Sequence, residues 1–281
     1  KAKIVYNVQE IYPDLLINQK SVNSSFIIYF LKKLERFVYN YSDAVVTIDS
    51  VFYNTIVSRF KRPDKLRVIP NFVDTELYKP EKEYNGFINE MDYDNNGLKV
   101  MYAGNIGHAQ DWDTLIEVAI ELKDNPVNFF IIGEGAKKEE LQRKVKLNNL
   151  TNINVFPYQK RELMSRINAF ADVHIIFMKS SVASQGFPSK VYSILSCGKP
   201  IIAASTNDSP LNSFLNKLDV GFLVSNDNNA LKIKELKNSF INYLDDPILL
   251  KTHSDNARNT IVEKYSKATV VQQYINLLEE L

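Results

Sequence analysis

From residue 99 onward, short β-branched and apolar runs alternate with stretches of helical period, and this alternation limits the chain to few architectures. Residues 99–103, 129–132, 153–156, 174–178, 201–205 and 222–224 read as strands. The segment from about Asp111 carries Leu115, Val118, Ala119 and Leu122 at the i, i+3, i+4, i+7 spacing of one buried helical face. Similar patterns recur near 137–148, 161–171, 189–197 and 210–217. Strands that are apolar throughout, each followed by a helix, predict an α/β fold with a doubly wound parallel sheet covered on both faces.

The first 78 residues repeat the pattern with strands near 2–8, 44–48 and 66–70 and helices near 23–41 and 50–60. Three strands are few for a Rossmann-like domain, which typically has about six, so residues 1–78 are expected to form part of a domain. Residues 79–97 are polar and rich in turn formers and read as a linker; 98–265 form the complete domain. Two helices, about 247–264 and 267–281, follow the last strand. A length of 281 residues suits two domains.

Composition removes several classes of function. Lysine and arginine number 34 against 33 acidic residues, so no overall field would hold nucleic acid. One cysteine, Cys197, excludes an intrachain disulfide and any cysteine cluster, and the three histidines lack ligand spacing, so no metal is expected. Cys197 itself reads as a small core residue. The longest apolar runs, such as 129–132, fall far short of the roughly 20 residues of a membrane-spanning helix. A cytoplasmic protein is expected.

Three segments could carry chemistry. Gly104, Asn105, Ile106 and Gly107 leave a strand and lead toward a helix, a place where small residues let backbone amides meet a phosphate. A tight strand-to-helix turn fits the same residues. Gly133, Glu134 and Gly135 follow the next strand and fit a plain turn better than a ligand contact; Lys138 spoils a dinucleotide fingerprint. Gly186, Phe187, Pro188 and Ser189 precede Lys190, which falls in the first turn of a helix, where a cation opposes the dipole and asks for an anion. A solvated surface lysine is the alternative. Gly198, Lys199 and Pro200 end that helix, with Lys199 as a capping cation.

Residues 7–14, 68–74, 102–110 and 186–203 together give the chain its likeness: it resembles the GT-B glycosyltransferases of family 4, in particular the bacterial capsule and O-antigen branch that includes N-acetyl-L-fucosamine transferases. The resemblance implies two Rossmann-like domains, a nucleotide-sugar donor on the C-terminal one, and a last helix (266–281) packing back toward the N-terminal one. It also implies that the chain lacks its N-terminal part. The implied donor contacts are Gly104, Asn105, Ile106, Gly107, Gln110, Gly133, Glu134, Tyr158, Gln185, Gly186, Phe187, Pro188, Ser189, Lys190 and Ser193, with Lys190 and Asn105 as the catalytic pair. Asn105 and Gln110 stand where many relatives carry Arg and Lys, which places charge neutralisation on Lys190. Gln185 and Ser193 stand where the family has two glutamates, which puts the usual ribose contact in doubt. Glu10 lies on the acceptor side.

The implied activity is a retaining transferase moving a sugar, from a UDP-sugar, to a lipid-linked or saccharide acceptor in surface polysaccharide assembly. No cofactor is implied beyond the donor as substrate. No carboxylate pair at glycosidase-like positions is evident. A non-catalytic nucleotide-sugar-binding module and a GT-B sugar-nucleotide epimerase are the alternatives; the epimerase would need carboxylates and histidines, and His108 is the one histidine near a candidate residue. Residues 26–37 combine aromatics with basic residues at helical spacing. They fit a peripheral membrane contact at the inner face of the cell membrane, or a core helix with a solvated basic edge.

Overall fold

The computed structural model describes residues 2–18, 21–81, 97–183, 186–225 and 228–281. Gln185 and most of the predicted linker lie outside the described residues. The chain divides into two compact units, one of residues 1–72, 185–187 and 264–281 and one of residues 73–184 and 188–263.

In the first unit, β1 (Val5–Val8), β2 (Ala44–Thr47) and β3 (Leu66–Val68) form a parallel sheet in the order β1-β2-β3. Helices α1 (Asp14–Asn18), α2 (Ser25–Tyr41) and α3 (Ser50–Ile56) lie between its strands in sequence. Strand β2 is buried on both faces, and its period of two divides the unit into two cores. Val45 packs with Val8, Tyr39, Phe52 and Ile56 on one face. Ala44 and Val46 pack on the other with Ile69 and with Val270 and Leu277, which come from the last helix (Lys267–Glu280). Arg59 draws Asp14 and Glu35 together in two ion pairs. Burial pushes the Glu35 carboxyl up, against the pull of the Arg59 guanidinium.

Helix α2 is not a core helix. Tyr39 alone of its described residues is buried, while Phe26, Phe30 and Phe37 expose 79%, 60% and 61% of their surface. The alternative of a core helix with a basic edge is thereby corrected. Among the described residues, no helix is long and apolar enough to cross a membrane.

The second unit holds β4 (Leu98–Ala103), β5 (Val127–Ile132), β6 (Ile153–Phe156), β7 (Val173–Phe177), β8 (Ile201–Ser205) and β9 (Gly221–Ser225) in one sheet, ordered β6-β5-β4-β7-β8-β9 and parallel throughout. Its helices are α4 (Trp112–Glu121), α5 (Lys138–Leu147), α6 (Met164–Phe170), α7 (Ser180–Ala183), α8 (Lys190–Ser196), α9 (Pro210–Leu215), α10 (Asn229–Asp245) and α11 (Pro247–Lys264); Lys267–Glu280 is α12. Val100 and Tyr102 of β4 face a core with Leu115, Phe129 and Ile131, and Met101 faces the opposite core with Phe130, Ile132, Ile167 and Phe170. The sequence predicts this six-stranded sheet within a residue or two at each end. Helix α10 goes beyond the sequence reading, which places no helix between the last strand and residue 247. It seals the larger core with Leu236, Phe240 and Tyr243.

Phe130 is fully buried between the stacked ring of Phe156 and the edge-on ring of Phe170. Phe130→Ala should cost about 3–5 kcal/mol, measured by denaturant unfolding.

Candidate functional site

Strands β4, β5 and β6 run outward in one direction, and the chain then returns to the far side of β4 to lay down β7, β8 and β9. Parallel strands all end on one edge, and the point where the strand order reverses, here between β4 and β7, is the usual ligand place in such sheets. An antiparallel bridge between Gln110 and Met178 ties the two loops together, reinforced by Lys179 N–H donating to the Ala109 carbonyl at 2.9 Å.

The loop after β4 stands on glycines. A Cβ on Gly133 would lie 1.9 Å from the Gly104 carbonyl oxygen, and one on Gly135 2.4 Å from that of Ile106, so the β5 loop brings its bare backbone against the β4 loop. Hydrogen bonds fix the arrangement: Gly104 N–H to Ile132 O at 2.9 Å, Ile106 N–H to Glu134 O at 2.8 Å, and Lys137 N–H to Ile106 O at 2.9 Å. Gly107 N–H donates to Gln110 Oε1 at 3.2 Å, and Trp112 Nε1 donates to the Gly107 carbonyl at 2.9 Å.

These bonds correct the picture of four ligand-facing amides. Those of Gly104, Ile106 and Gly107 are committed to protein acceptors, Ile106 is itself fully buried, and among the described residues Asn105 alone of the four keeps an uncommitted amide. Gln110, Gly133 and Glu134 serve as bracing, and the Glu134 carboxylate pairs with Lys138 at 2.6 Å. The N-terminus of α4 is also occupied. Asp111 caps it through Thr114 and is met by Lys232 at 2.5 Å. Burial raises the Asp111 carboxyl, but the bonds from Lys232 and Thr114 outweigh it and hold the carboxyl below its ordinary value.

Lys190 opens α8, after Ser189, whose side chain makes no capping bond. The ammonium turns onto β4: Nζ donates to the Ala103 carbonyl at 3.2 Å and sits 3.7 Å from the centre of the Tyr102 ring. It is 3.4 Å from where a Cβ on Gly104 would stand, so the bare Gly104 leaves room beside the charge. Among the described residues no carboxylate pairs with it, and burial pushes its pKa down to about 7. Here is a cation with a π face, one carbonyl and no counter-anion. The surface-lysine alternative does not survive.

Tyr102 heads the run that leads into Gly104 but carries no role in the sequence reading, yet it supports the whole arrangement. Its hydroxyl donates to Asn105 O at 2.7 Å, and its ring meets Trp112 and Phe177 with centroids 5.0 and 5.4 Å away. The available signal is the strand period, which puts residues 102 and 104 on one face. Burial, and then Tyr158, raise its hydroxyl pKa. Tyr158 is 55% exposed beyond the end of β6.

The other sequence candidates separate. The Ser193 hydroxyl donates to Lys190 O at 2.9 Å within its own helix. Gly186 is in open space, whereas Phe187 groups with the first unit and packs against its core. Pro188 contributes its carbonyl to Val191 N–H at 3.0 Å. Glu10 belongs to the first unit and accepts from the Tyr12 hydroxyl at 2.8 Å. Cys197 is buried with its thiol pushed up to about 12. Gly198 N–H to Leu195 O and Lys199 N–H to Ile194 O close α8 as a Schellman motif around Gly198 at φ 68°. His174, buried on β7, donates from Nε2 to the Asn168 carbonyl at 3.2 Å, and burial holds its pKa down to about 3.

An open parallel sheet of this order, reversing between β4 and β7, defines a doubly wound α/β domain, and the whole chain has the GT-B fold. The structure of Anabaena Alr3699/HepE in complex with UDP matches it with a TM-score of 0.79 at 17% identity, covering 99% of this chain and 72% of that one. A family model described as glycosyl transferases group 1 matches residues 88–260, more than half of the chain, and the chain belongs to that family. It is 24% identical over 236 residues to the putative colanic acid biosynthesis glycosyl transferase WcaI of Escherichia coli (strain K12), covering 83% of this chain and 56% of that protein. To the poly(ribitol-phosphate) alpha-N-acetylglucosaminyltransferase of Staphylococcus aureus (strain COL) it is 25% identical over 311 residues, covering 94% and 60%. The chain thus spans less than two thirds of the length of these relatives.

The Lys190 geometry has a pH signature. Its folded pKa of about 7 lies below the ordinary 10.5, so the fold disfavours the charged form. That cost is complete below about pH 7 and fades as pH rises from there to 10.5. Lys190→Met should therefore stabilise the ligand-free protein by about 1–3 kcal/mol at pH 6 and by progressively less toward pH 10, read from denaturant midpoints across that range.

Proposed function

We propose that the second unit holds the diphosphate of a nucleotide-sugar, a UDP-sugar, and that the protein is a retaining glycosyltransferase acting on a lipid-linked or saccharide acceptor in surface polysaccharide assembly. The observation that carries this reading is the unpaired Lys190 ammonium where the strand order reverses between β4 and β7, beside bare Gly104 and the uncommitted Asn105 amide. The names of the relatives support it: one is assigned to colanic acid biosynthesis and one to N-acetylglucosaminyl transfer onto poly(ribitol-phosphate). The GT-B neighbour with UDP bound supports a uridine nucleotide.

In such a transfer the acceptor hydroxyl oxygen bonds to the anomeric carbon as the bond from that carbon to the phosphate oxygen breaks, negative charge grows on the departing diphosphate, and its oxygen takes the hydroxyl proton. Lys190 and the Asn105 amide are the groups placed to meet that charge, and being fixed beforehand they need no reorganisation as it develops. Tyr102 acts behind them by holding the ammonium over its ring and the Asn105 carbonyl on its hydroxyl. Tyr158, exposed after β6, is the aromatic available to a base, and Ser189, Gly186 and Pro188 precede Lys190 in the loop that carries it. No residue needs to act as a classical base in this scheme.

A second reading, a nucleotide-sugar-binding module without transfer, is favoured by the Ser193 hydroxyl, which is spent on its own helix where the family's second glutamate would stand. The full-length protein decides between them: radiolabelled sugar passing from a UDP-sugar to membrane acceptors establishes transfer, and tight UDP binding with no transfer establishes the module.

Lys190→Ala should weaken UDP binding by about 1.5–3 kcal/mol, and Lys199→Ala by much less, both by titration calorimetry. A bound diphosphate favours the charged lysine, so binding above pH 7 should take up protons. Affinity should fall by up to about tenfold per pH unit from about pH 7 to the raised pKa of the complex. Calorimetry in buffers of different ionisation enthalpy measures the uptake, and a pH-independent affinity across that range would remove Lys190 from the diphosphate.

A further inference from the structure

The first turn of α4 grips the loop after β4 at one residue, from both sides. Gln110 Oε1 accepts the Gly107 N–H at 3.2 Å, and Trp112 Nε1 donates to the Gly107 carbonyl at 2.9 Å. Both polar groups of buried Gly107 are thus held by the two sequence neighbours of Asp111. The indole is locked in turn: Trp112 is buried, with the rings of Tyr102 and Phe177 edge-on to it at centroid distances of 5.0 Å each. A displacement of Asp111 therefore carries both grips with it, and with them the stretch from 105 to 107.

Asp111 is held by a residue 121 positions along the chain. Lys232 of α10 places its Nζ 2.5 Å from Asp111 Oδ2, with the lysine side chain 7% exposed and the aspartate 20%. Thr114 Oγ1 donates to the same oxygen at 2.7 Å and lies 3.5 Å from Asn229 Oδ1 at the start of α10. The cap alone does not require a lysine. Orphan amides and the helix dipole already favour a carboxylate there, and an asparagine caps about as well. Nor is a buried ion pair a source of much stability, since apolar side chains of similar volume often replace one without loss. What it supplies is a fixed geometry, because two buried charges cannot part without leaving one unpaired. A second ion pair joins the same helices farther along, Lys237 with Glu121 at 2.9 Å, but these side chains are 34% and 54% exposed, where such a pair fixes little.

We propose that Lys232 is a positioning residue of the donor site: from α10 it fixes Asp111, and through Gln110 and Trp112 it fixes Gly107, so that the Asn105 amide keeps its place at the end of β4. The inference rests on the assignment of the diphosphate to this loop. It makes α10 part of the construction of the site as well as the cover of the larger core.

Full-length protein with isotopically labelled tryptophan, followed by NMR and by calorimetric titration with UDP, tests this. The Trp112 indole N–H signal, assigned by its absence in Trp112→Phe, reads the bond to Gly107 in the ligand-free protein. Lys232→Met should shift that signal, speed its exchange with solvent at least about tenfold and weaken UDP binding by about tenfold. Lys237→Met, on the same pair of helices, should change none of these. The double variant Asp111→Asn/Lys232→Met leaves no buried charge unpaired and keeps the cap, so it carries the test even where the single variant does not fold. It should recover the thermal midpoint while the indole signal and the UDP affinity stay altered. Full recovery of UDP affinity by the double variant would overturn the proposal, because Lys232 would then serve only to cancel the Asp111 charge. An unchanged indole signal or UDP affinity in Lys232→Met, or an equal loss in Lys237→Met, would overturn it as well. Failure of UDP to bind the wild type is a separate result: it removes the donor site, and this role with it, whatever the indole signal shows.

Discussion

Two backbones meet at the end of β4 and β5 with no room for a methyl group between them. The Gly104 carbonyl stands where a side chain on residue 133 would begin, and the Ile106 carbonyl does the same at residue 135. Everything at the candidate site is referred to this contact. It sets the height of the β4 loop above the sheet, and thereby the place of Asn105, the opening beside Gly104 and the carbonyl of Ala103 that Lys190 reaches. The cost is that three of the four amides of residues 104–107 are spent within the protein, so among the described residues this wall keeps the Asn105 amide as its uncommitted donor of the four.

Against that wall the electrostatics are one-sided. Asp111, the nearest carboxylate in the loop, is neutralised by Lys232, and Glu134 by Lys138. Lys190 is left with the Tyr102 ring and a single carbonyl, partners that support a cation weakly, and burial brings its pKa near neutrality. A site that keeps an ammonium close to losing its proton favours an incoming anion on two counts, by attraction and by restoring the charge. In the first unit Arg59 pairs with Glu35, which lies with Tyr39 on the inward side of α2.

The parts of the site that the residues announced are those with local causes. Lys190 was legible from Pro188 and Ser189 just ahead of it, and Gly198 from the helix end it makes. Tyr102 was not, because its importance lies in what a strand residue touches across the loop. The amides of Gly104 to Gly107 were misjudged for a related reason: glycine spacing identifies a tight turn, but which acceptor each amide finds depends on the neighbouring loop. Ser193 stood where a family contact was in doubt, and its hydroxyl is found bonded within α8.

The amino-acid sequence by itself determined the class of fold. Periods of two and 3.6 and the lengths of the apolar runs dictate parallel strands and covering helices, because each element must bury its own apolar face. The same local forces placed the ends of α8 and excluded a spanning helix among the described residues. Tertiary structure decided the rest: that β7 returns beside β4, that α10 closes the larger core, that Lys190 turns inward onto Tyr102, and that α2 lies open. Those outcomes rest on contacts between residues dozens of positions apart, whose energies depend on burial and close approach. Neither quantity can be read along a chain until it has folded.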